Sequence, residues 1–445
     1  MKKALILGAG LVAKPITDYL LNQPNIEVVV ASRTVSKAEN LVGHHSRGEA
    51  IAFDISKDLD RLQDLIAQAD VAISLLPYTH HVTVAEECIR QKTHLVTTSY
   101  VSDPMRALDE KAKAAGVILL NEIGVDPGID HMSAMKIIDD VHAKGGKIES
   151  FESYCGGLPA PDNAWTNPFG YKLSWSPRGV LMAGRNAARF LKDGKQVDIP
   201  GEELFAHHET MAIEGIGDFE TYPNRDSTPY IDLYGIPETK TMFRGTIRNL
   251  GWCDTLKGIA DLGLLKDEPE DKQSFKGMTY AGFLHKLISL EADADLKQGI
   301  ADKLGTEKDS EIIKRLEWLS LLSEDPIEVE EGTPLDVLTT RFMKLQYQEK
   351  ERDMLILVHK FIASYPDKKE RITSTMIDFG LQDKDGDSSM SRTVSLPAAI
   401  ATRLILEGKI TTPGVHIPNT KTWYEPVLQE LEKLDIVCKE KVEPL

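Results

Sequence analysis

Between Lys3 and about Gly124 the chain repeats one pattern: a short apolar run, an amphipathic stretch, then another run. The runs are Ala4–Leu7, Ile26–Val30, Ile51–Phe53, Val71–Leu76, Leu95–Val96 and Val117–Leu120. They are rich in Val, Ile and Leu and lack polar alternation, as strands covered on both faces must be. Such strands alternating with helices build βαβ units and a doubly wound parallel sheet. The predicted fold class is therefore α/β of Rossmann type.

Gly8-Ala-Gly10-Leu-Val-Ala13 lies between the first run and the first helical stretch. This is a G-x-G-x-x-A fingerprint in the strand–turn–helix context that gives it meaning. Gly8 allows the tight turn, Gly10 lets backbone approach a pyrophosphate, and Ala13 keeps helix and strand close. The diphosphate then rests on the backbone of Gly10, Leu11 and Val12 at a helix N-terminus. A site built for NAD carries an acidic residue at the tip of the second strand. Here the tip reads Ser32-Arg33-Thr34. Arg33 can pair with a 2′-phosphate and two hydroxyls can donate to it, so NADP is the expected cofactor and NAD the alternative.

Ligands of open α/β sheets bind outside the carboxyl ends of the strands. Leu75-Leu76-Pro77-Tyr78 and Thr97-Thr98-Ser99-Tyr100 follow two such ends. Tyr100 is a candidate proton handler, and Asp126 in Gly124-Val125-Asp126-Pro-Gly-Ile-Asp130-His131 another. Asp130 and His131 suit a helix cap equally well. Asp54, after the third strand, suits an adenine-side contact. Cys155 borders a glycine pair and reads equally well as a buried inert thiol. Arg225 and Arg244 lie in polar surroundings suited to clamping carboxylates or to surface ion pairs. His80-His81 has no third ligand at metal spacing, so no metal is expected.

Beyond Gly124 a helical stretch carries Met132, Met135, Ile138 and Val141 on one face and ends at Gly145-Gly146. A strand-like Ile148–Cys155 follows, with Gly156-Gly-Leu-Pro159 expected as loop. Ser176-Pro177 reads as the start of a helix closed by Gly194. Residues 254–349 read as wholly helical. Met354–Ala363 and Arg371–Phe379, joined by Tyr365-Pro-Asp367, read as an antiparallel hairpin. Gln382–Ser391 is expected as an exposed loop, and Leu396–Glu407 and Glu425–Leu434 as helices.

At 445 residues the chain suggests two or three domains. Its formal net charge of -17 opposes phosphate backbones and anionic lipid, so neither nucleic acid nor membrane is an expected partner. Four scattered cysteines without CxxC spacing argue for a reducing compartment. The apolar run after Met1 is interrupted by Gly8 and Gly10 and lacks a cleavage-type site, so the expected location is cytoplasmic.

Several strings carry a resemblance. Ile73-Ser-Leu-Leu-Pro-Tyr78, Thr97–Tyr100, Asn121–His131 and Ser153-Tyr-Cys155-Gly-Gly-Leu-Pro-Ala-Pro161 are four of them. Lys172-Leu-Ser-Trp175-Ser, Tyr222-Pro-Asn-Arg225-Asp-Ser-Thr-Pro229-Tyr and Glu351-Arg-Asp353 are three more. Together they resemble the glutamate-forming saccharopine dehydrogenase (saccharopine reductase) family nearly end to end. The resemblance implies a nucleotide-binding Rossmann domain from 1–128 plus 392–445. It also implies a mixed α/β substrate and dimerisation domain from 129–250 plus 350–391, and a helical domain over 251–349. Tyr100, Asp126 and Cys155 become active-site residues, and Ser99, Arg225, Arg244, Gly245 and Thr246 join Tyr100 and Asp126 as substrate contacts. Ile55, Leu76, Pro77, Thr98, Ser99, Val125 and Trp175 join the fingerprint, Ser32–Thr34 and Asp54 as cofactor contacts. Some members are fused to a lysine–ketoglutarate reductase; this chain starts at the nucleotide fold, as a stand-alone member would.

The implied reaction, part of lysine metabolism, oxidises the lysine-side CH–NH bond of saccharopine. Water then splits the imine into L-glutamate and 2-aminoadipate 6-semialdehyde. Two other readings stay open: a dehydrogenase of polyamine adducts such as carboxynorspermidine, whose pocket would favour acids over arginines, and a protein that senses NADP(H) without turnover, which would need no proton-transfer groups.

Overall fold

The computed structural model describes residues 1–382 and 386–445. They form two compact units, Met1–Ile148 with Ala363–Leu445, and Glu149–Ile362. The first unit opens with β1 (Lys2–Leu7), β2 (Ile26–Ser32), β3 (Gly48–Ala52), β4 (Val71–Ser74), β5 (His94–Thr97) and β6 (Ile118–Leu120). Five follow the expected apolar runs, whereas β3 starts three residues before the Ile51–Phe53 run and none of its residues is buried. All six are parallel and lie in the order β6-β5-β4-β1-β2-β3. Chain order therefore reverses between β1 and β4, where doubly wound folds open a ligand crevice. Leu7, Ser74 and Thr97 are in direct register, so three carboxyl ends finish level. The cover on one side is a buried cluster including Leu5, Leu7, Phe53, Ile66, Val84 and Leu95.

In the second unit a mixed sheet runs β10-β11-β12-β7-β15. Its members are β7 (Lys147–Pro159), β10 (Glu209–Ile213), β11 (Gly217–Pro223), β12 (Thr241–Asn249) and β15 (Asp353–Ser364). A hairpin of β8 (Ala188–Lys192) and β9 (Lys195–Ile199) joins it at Met242. Three expectations are corrected here. Gly156–Pro159 is strand, because β7 runs on past Cys155. A Cβ on Gly156 would stand 2.5 Å from the Ile247 carbonyl oxygen of β12, so glycine here permits close strand packing rather than marking a loop. The helix begun by Ser176-Pro177 ends at Gly184, and Gly194 instead turns β8 into β9. Residues 254–349 are not wholly helical, since β13 (Gln273–Ser274) pairs antiparallel with β14 (Glu331–Gly332). Two-residue strands are too short to leave a periodic signal. The five main helices of that stretch share one apolar core with Tyr171, Tyr222 and Trp252.

The first unit resumes with a turn in which Tyr365 N–H donates to the Lys368 carbonyl, then β16 (Lys369–Phe379), β17 (Gly414–His416) and β18 (Lys439–Pro444). β17 pairs parallel with β6 and extends the Rossmann sheet to seven strands, while β18 pairs antiparallel with β16. Residues 383–385, within the stretch expected as a loop, lie outside the described residues. By Ser389 the chain is already a helix that runs to Leu406, capped by the Ser388 hydroxyl. Pro397 inside it masked its first two turns in the sequence pattern. The last helix spans Lys421–Lys433, four residues earlier at its start than expected. Among the described residues no helix is long and apolar enough to cross a membrane.

Candidate active site

At the β1 end Gly8 holds φ +113°, and a Cβ there would press on the Leu75 carbonyl oxygen at 3.1 Å. Beyond Gly10 there is open space for at least 4 Å. Among the described residues, the backbone N–H groups of Gly10, Leu11 and Val12 donate to no protein acceptor. The helix that follows, Ala13–Leu21, has no side-chain cap and no acid in its first turn. Ala13 is fully buried. Its positive end is thus presented uncompensated, as a diphosphate requires.

Arg33 is exposed at the β2 tip, beside a turn in which the Ser32 hydroxyl accepts from Thr34 N–H at 3.3 Å. Asp54 lies within the field of Arg33; the Ser56 N–H, Lys57 and Arg33 together hold its carboxyl below the usual range. The side chain of Ile55 is buried in the core, so its backbone is what a ligand can reach. Leu76 is half-buried and Pro77 exposed after β4. With no carboxylate on the β2 tip and a cation in its place, this donor set fits a 2′-phosphorylated dinucleotide.

The ends of β4 and β5 meet around His81. Its Nδ1 lies 2.9 Å from the Ser74 hydroxyl, and its Nε2 2.8 Å from Ser99 and 3.2 Å from Thr97. All three partners are hydroxyls, and burial pushes the ring's pKa down to about 4, with His80 adding to the effect. A neutral imidazole therefore ties together the two loops that carry Pro77 and Thr98–Tyr100. Beside it the Tyr100 hydroxyl donates to Asp126 Oδ1 at 3.0 Å. The two candidate proton handlers are brought together from separate strand ends.

Their spacing is set by Glu122. One of its oxygens accepts from Val101 N–H at 2.8 Å, and the other lies 2.8 Å from His131 Nε2. Asp130 accepts from the backbone of Gly128 and His131 at 2.6 and 2.8 Å, shaping the start of helix Ile129–Ala143. Val125 is buried beside them.

In the second unit, Cys155 on β7 is the register partner of Thr246 on β12, which in turn faces Tyr222 on β11. Side chains alternate along a strand, so Arg244 and Thr246 share a face and Gly245 belongs to the other, against Phe243 and Tyr154. The Arg244 guanidinium lies 4.3 Å above the Tyr230 ring and its residue is 6% exposed. Arg225, at φ +55°, is exposed in a loop sewn to the sheet by bonds from Asn224 N–H to the Arg244 carbonyl and from Arg244 N–H to Ser227. Trp175 is exposed and sits beside Tyr171. Sequence reasoning missed the buried ion pair of Lys172 and Glu351 at 2.8 Å, because no spacing joins residues so far apart in the chain. Burial alone would raise the Glu351 carboxyl, but Gln348 N–H and Lys172 outweigh it and hold it low.

Two family models cover the chain: the saccharopine dehydrogenase NADP binding domain over residues 4–120, and the saccharopine dehydrogenase C-terminal domain over 124–436. The saccharopine dehydrogenase (NADP(+), L-glutamate-forming) of Saccharomyces cerevisiae is 43% identical across 99% of both chains. Its counterpart in Schizosaccharomyces pombe is 42% identical over the same share. The apo saccharopine dehydrogenase (L-Glu forming) structure from Saccharomyces cerevisiae superposes with a TM-score of 0.90 at 41% identity, covering 100% of each chain. On sequence and fold alike, this chain belongs to the saccharopine dehydrogenase family.

Proposed function

We propose that the chain catalyses the reversible, NADP-dependent oxidation of saccharopine to L-glutamate and 2-aminoadipate 6-semialdehyde. The observation that carries this is the Tyr100–Asp126 pair at the carboxyl edge of a sheet whose second strand ends in Arg33, within a chain of this family. Bound NADP supplies the acceptor for the hydride that leaves the lysine-side carbon. The protein's own task is to bind three carboxylates and to move protons. Asp126, oriented by the Tyr100 hydroxyl, takes the proton from the secondary amine as the C–H bond breaks. It then assists addition of water to the imine carbon and returns a proton as the glutamate nitrogen departs. Tyr100 and Cys155 serve as relay or hydrogen-bond partners.

In this proposal Arg225, Arg244 and Thr246 hold substrate carboxylates, with Gly245 contributing backbone, and Ser99 binds both ligands. Val125, Thr98 and Trp175 touch the cofactor. Residues 1–128 with 392–445 bind nucleotide, 129–250 with 350–391 bind substrate and dimerise, and 251–349 add a helical region. The enzyme works in the cytoplasm as a homodimer. Absorbance of reduced nicotinamide, with saccharopine and NADP⁺ or NAD⁺ in parallel, tests the activity. Rapid NADP⁺ reduction supports it, and silence with both cofactors removes it. Light scattering at assay concentration reads the dimer.

A further inference from the structure

Arg248 is the odd charge of the second unit. It is 6% exposed, yet among the described residues no carboxylate lies within ion-pair distance of it. One Nη donates to the Ile247 carbonyl at 2.8 Å, while its buried Nε has no partner. Glu220, opposite it in register on β11, is spent elsewhere: its oxygens accept from Gly251 and Cys253 N–H at 2.5 and 2.8 Å at the head of helix Trp252–Asp261. The neighbouring arginines differ. Arg315 donates to Pro168, Gly251 and Thr255, and Arg178 is paired with Asp267 and Asp336.

Around Arg248 stand hydroxyls and thiols rather than carboxylates: Tyr171, Tyr222, Cys155 and Cys253. Its guanidinium lies 5.0 Å from the Tyr171 ring and 5.6 Å from Trp252, and those rings are 4.5 Å apart. The Trp252 indole nitrogen is buried without a partner, and the buried Tyr171 hydroxyl, within reach of Trp175, donates to no acceptor. An unpaired buried cation is unfavourable, and aromatic faces offset only part of that cost. Three donors in want of an acceptor describe a place for an anion.

Arg248 shares its β12 face with Arg244 and Thr246, four residues from Arg244 or about 13 Å along the strand. Extended saccharopine separates its outer carboxylates by about ten bonds, or roughly 12 Å. We infer that Arg248, with Tyr171 and Trp252, forms a second carboxylate subsite that holds the substrate arm remote from Arg244. This deepens the proposed function and rests on saccharopine being the substrate.

The test uses full-length Arg248→Met, which keeps the apolar stem, and Arg248→Lys. The Met variant should raise the saccharopine KM by about 50- to 500-fold with NADP⁺ KM within about twofold, and Lys should recover part of the loss. Without ligand, Arg248→Met should melt at or above the wild-type temperature, because an unpaired charge has left the interior. Saccharopine, or the dicarboxylate glutarate, should raise the wild-type Tm and not that of Arg248→Met. An unchanged KM, a Met variant that melts several degrees lower, or equal ligand shifts in both proteins would each overturn the subsite, water being then its only occupant. A wild type inactive on saccharopine but selectively stabilised by glutarate would keep the subsite and remove the substrate assignment.

Discussion

Replacing His81 with Gln should flatten the acid side of the stability curve. The wild-type ring is caged by Ser74, Thr97 and Ser99, with no carboxylate to welcome a second proton. Its folded pKa is therefore depressed to about 4 from 6.5. Above 6.5 both folded and unfolded rings are neutral and the residue contributes no pH dependence. As pH falls below 6.5 the unfolded chain takes up the proton first, and folded stability drops until the native ring titrates near 4. From those two values the loss by about pH 4.5 is about 2.5 kcal/mol, before any discount for solvent screening. Urea unfolding of the ligand-free protein, followed between about pH 8 and 4.5, should show wild type losing more stability than His81→Gln by roughly that amount. Equal slopes for the two proteins would refute the argument. So would a folded His81 that titrates near 6.5 by NMR.

Asp126→Asn should lower kcat by about 100-fold or more, whereas Tyr100→Phe, which removes only the 3.0 Å orienting bond, should cost about tenfold or less; steady-state rates with saccharopine order the two. Arg33→Ala should raise the NADP⁺ KM by about 10- to 100-fold and leave NAD⁺ nearly unchanged, read from parallel titrations of both cofactors. Gly156→Ala should destabilise the second unit by about 1–3 kcal/mol, because the new methyl meets the Ile247 carbonyl at 2.5 Å; a denaturation midpoint equal to wild type would remove the close-packing account.

The inner Rossmann strands were legible because burial on both faces leaves unbroken apolar runs, as in Val71–Ser74, whose four residues are all buried; β3, with no buried residue, was placed three residues late at its start. The same rule hid β17, since Gly414-Val-His416 is too short and mixed to stand out. Glycine misled at 156, where a side chain has no room, because sequence alone does not separate a turn from a close approach. Tyr100 and Asp126 could be found from their place after strand ends. The cage around His81 could not, because its three hydroxyls come from the ends of two strands and the following loop, and only register assembles them. Nothing in the sequence sets Arg248 apart; its significance lies in what is missing around it.

The nucleotide-binding unit is built from both ends of the chain, with β17 set against β6 and β18 against β16. During synthesis the first six parallel strands emerge early, but their sheet keeps an unpaired β6 edge until the whole second unit has left the ribosome. A truncation of the last few dozen residues therefore removes a wall of the cofactor-binding sheet rather than a tail. It leaves a nascent chain with an open edge, the state most prone to pair with its neighbours.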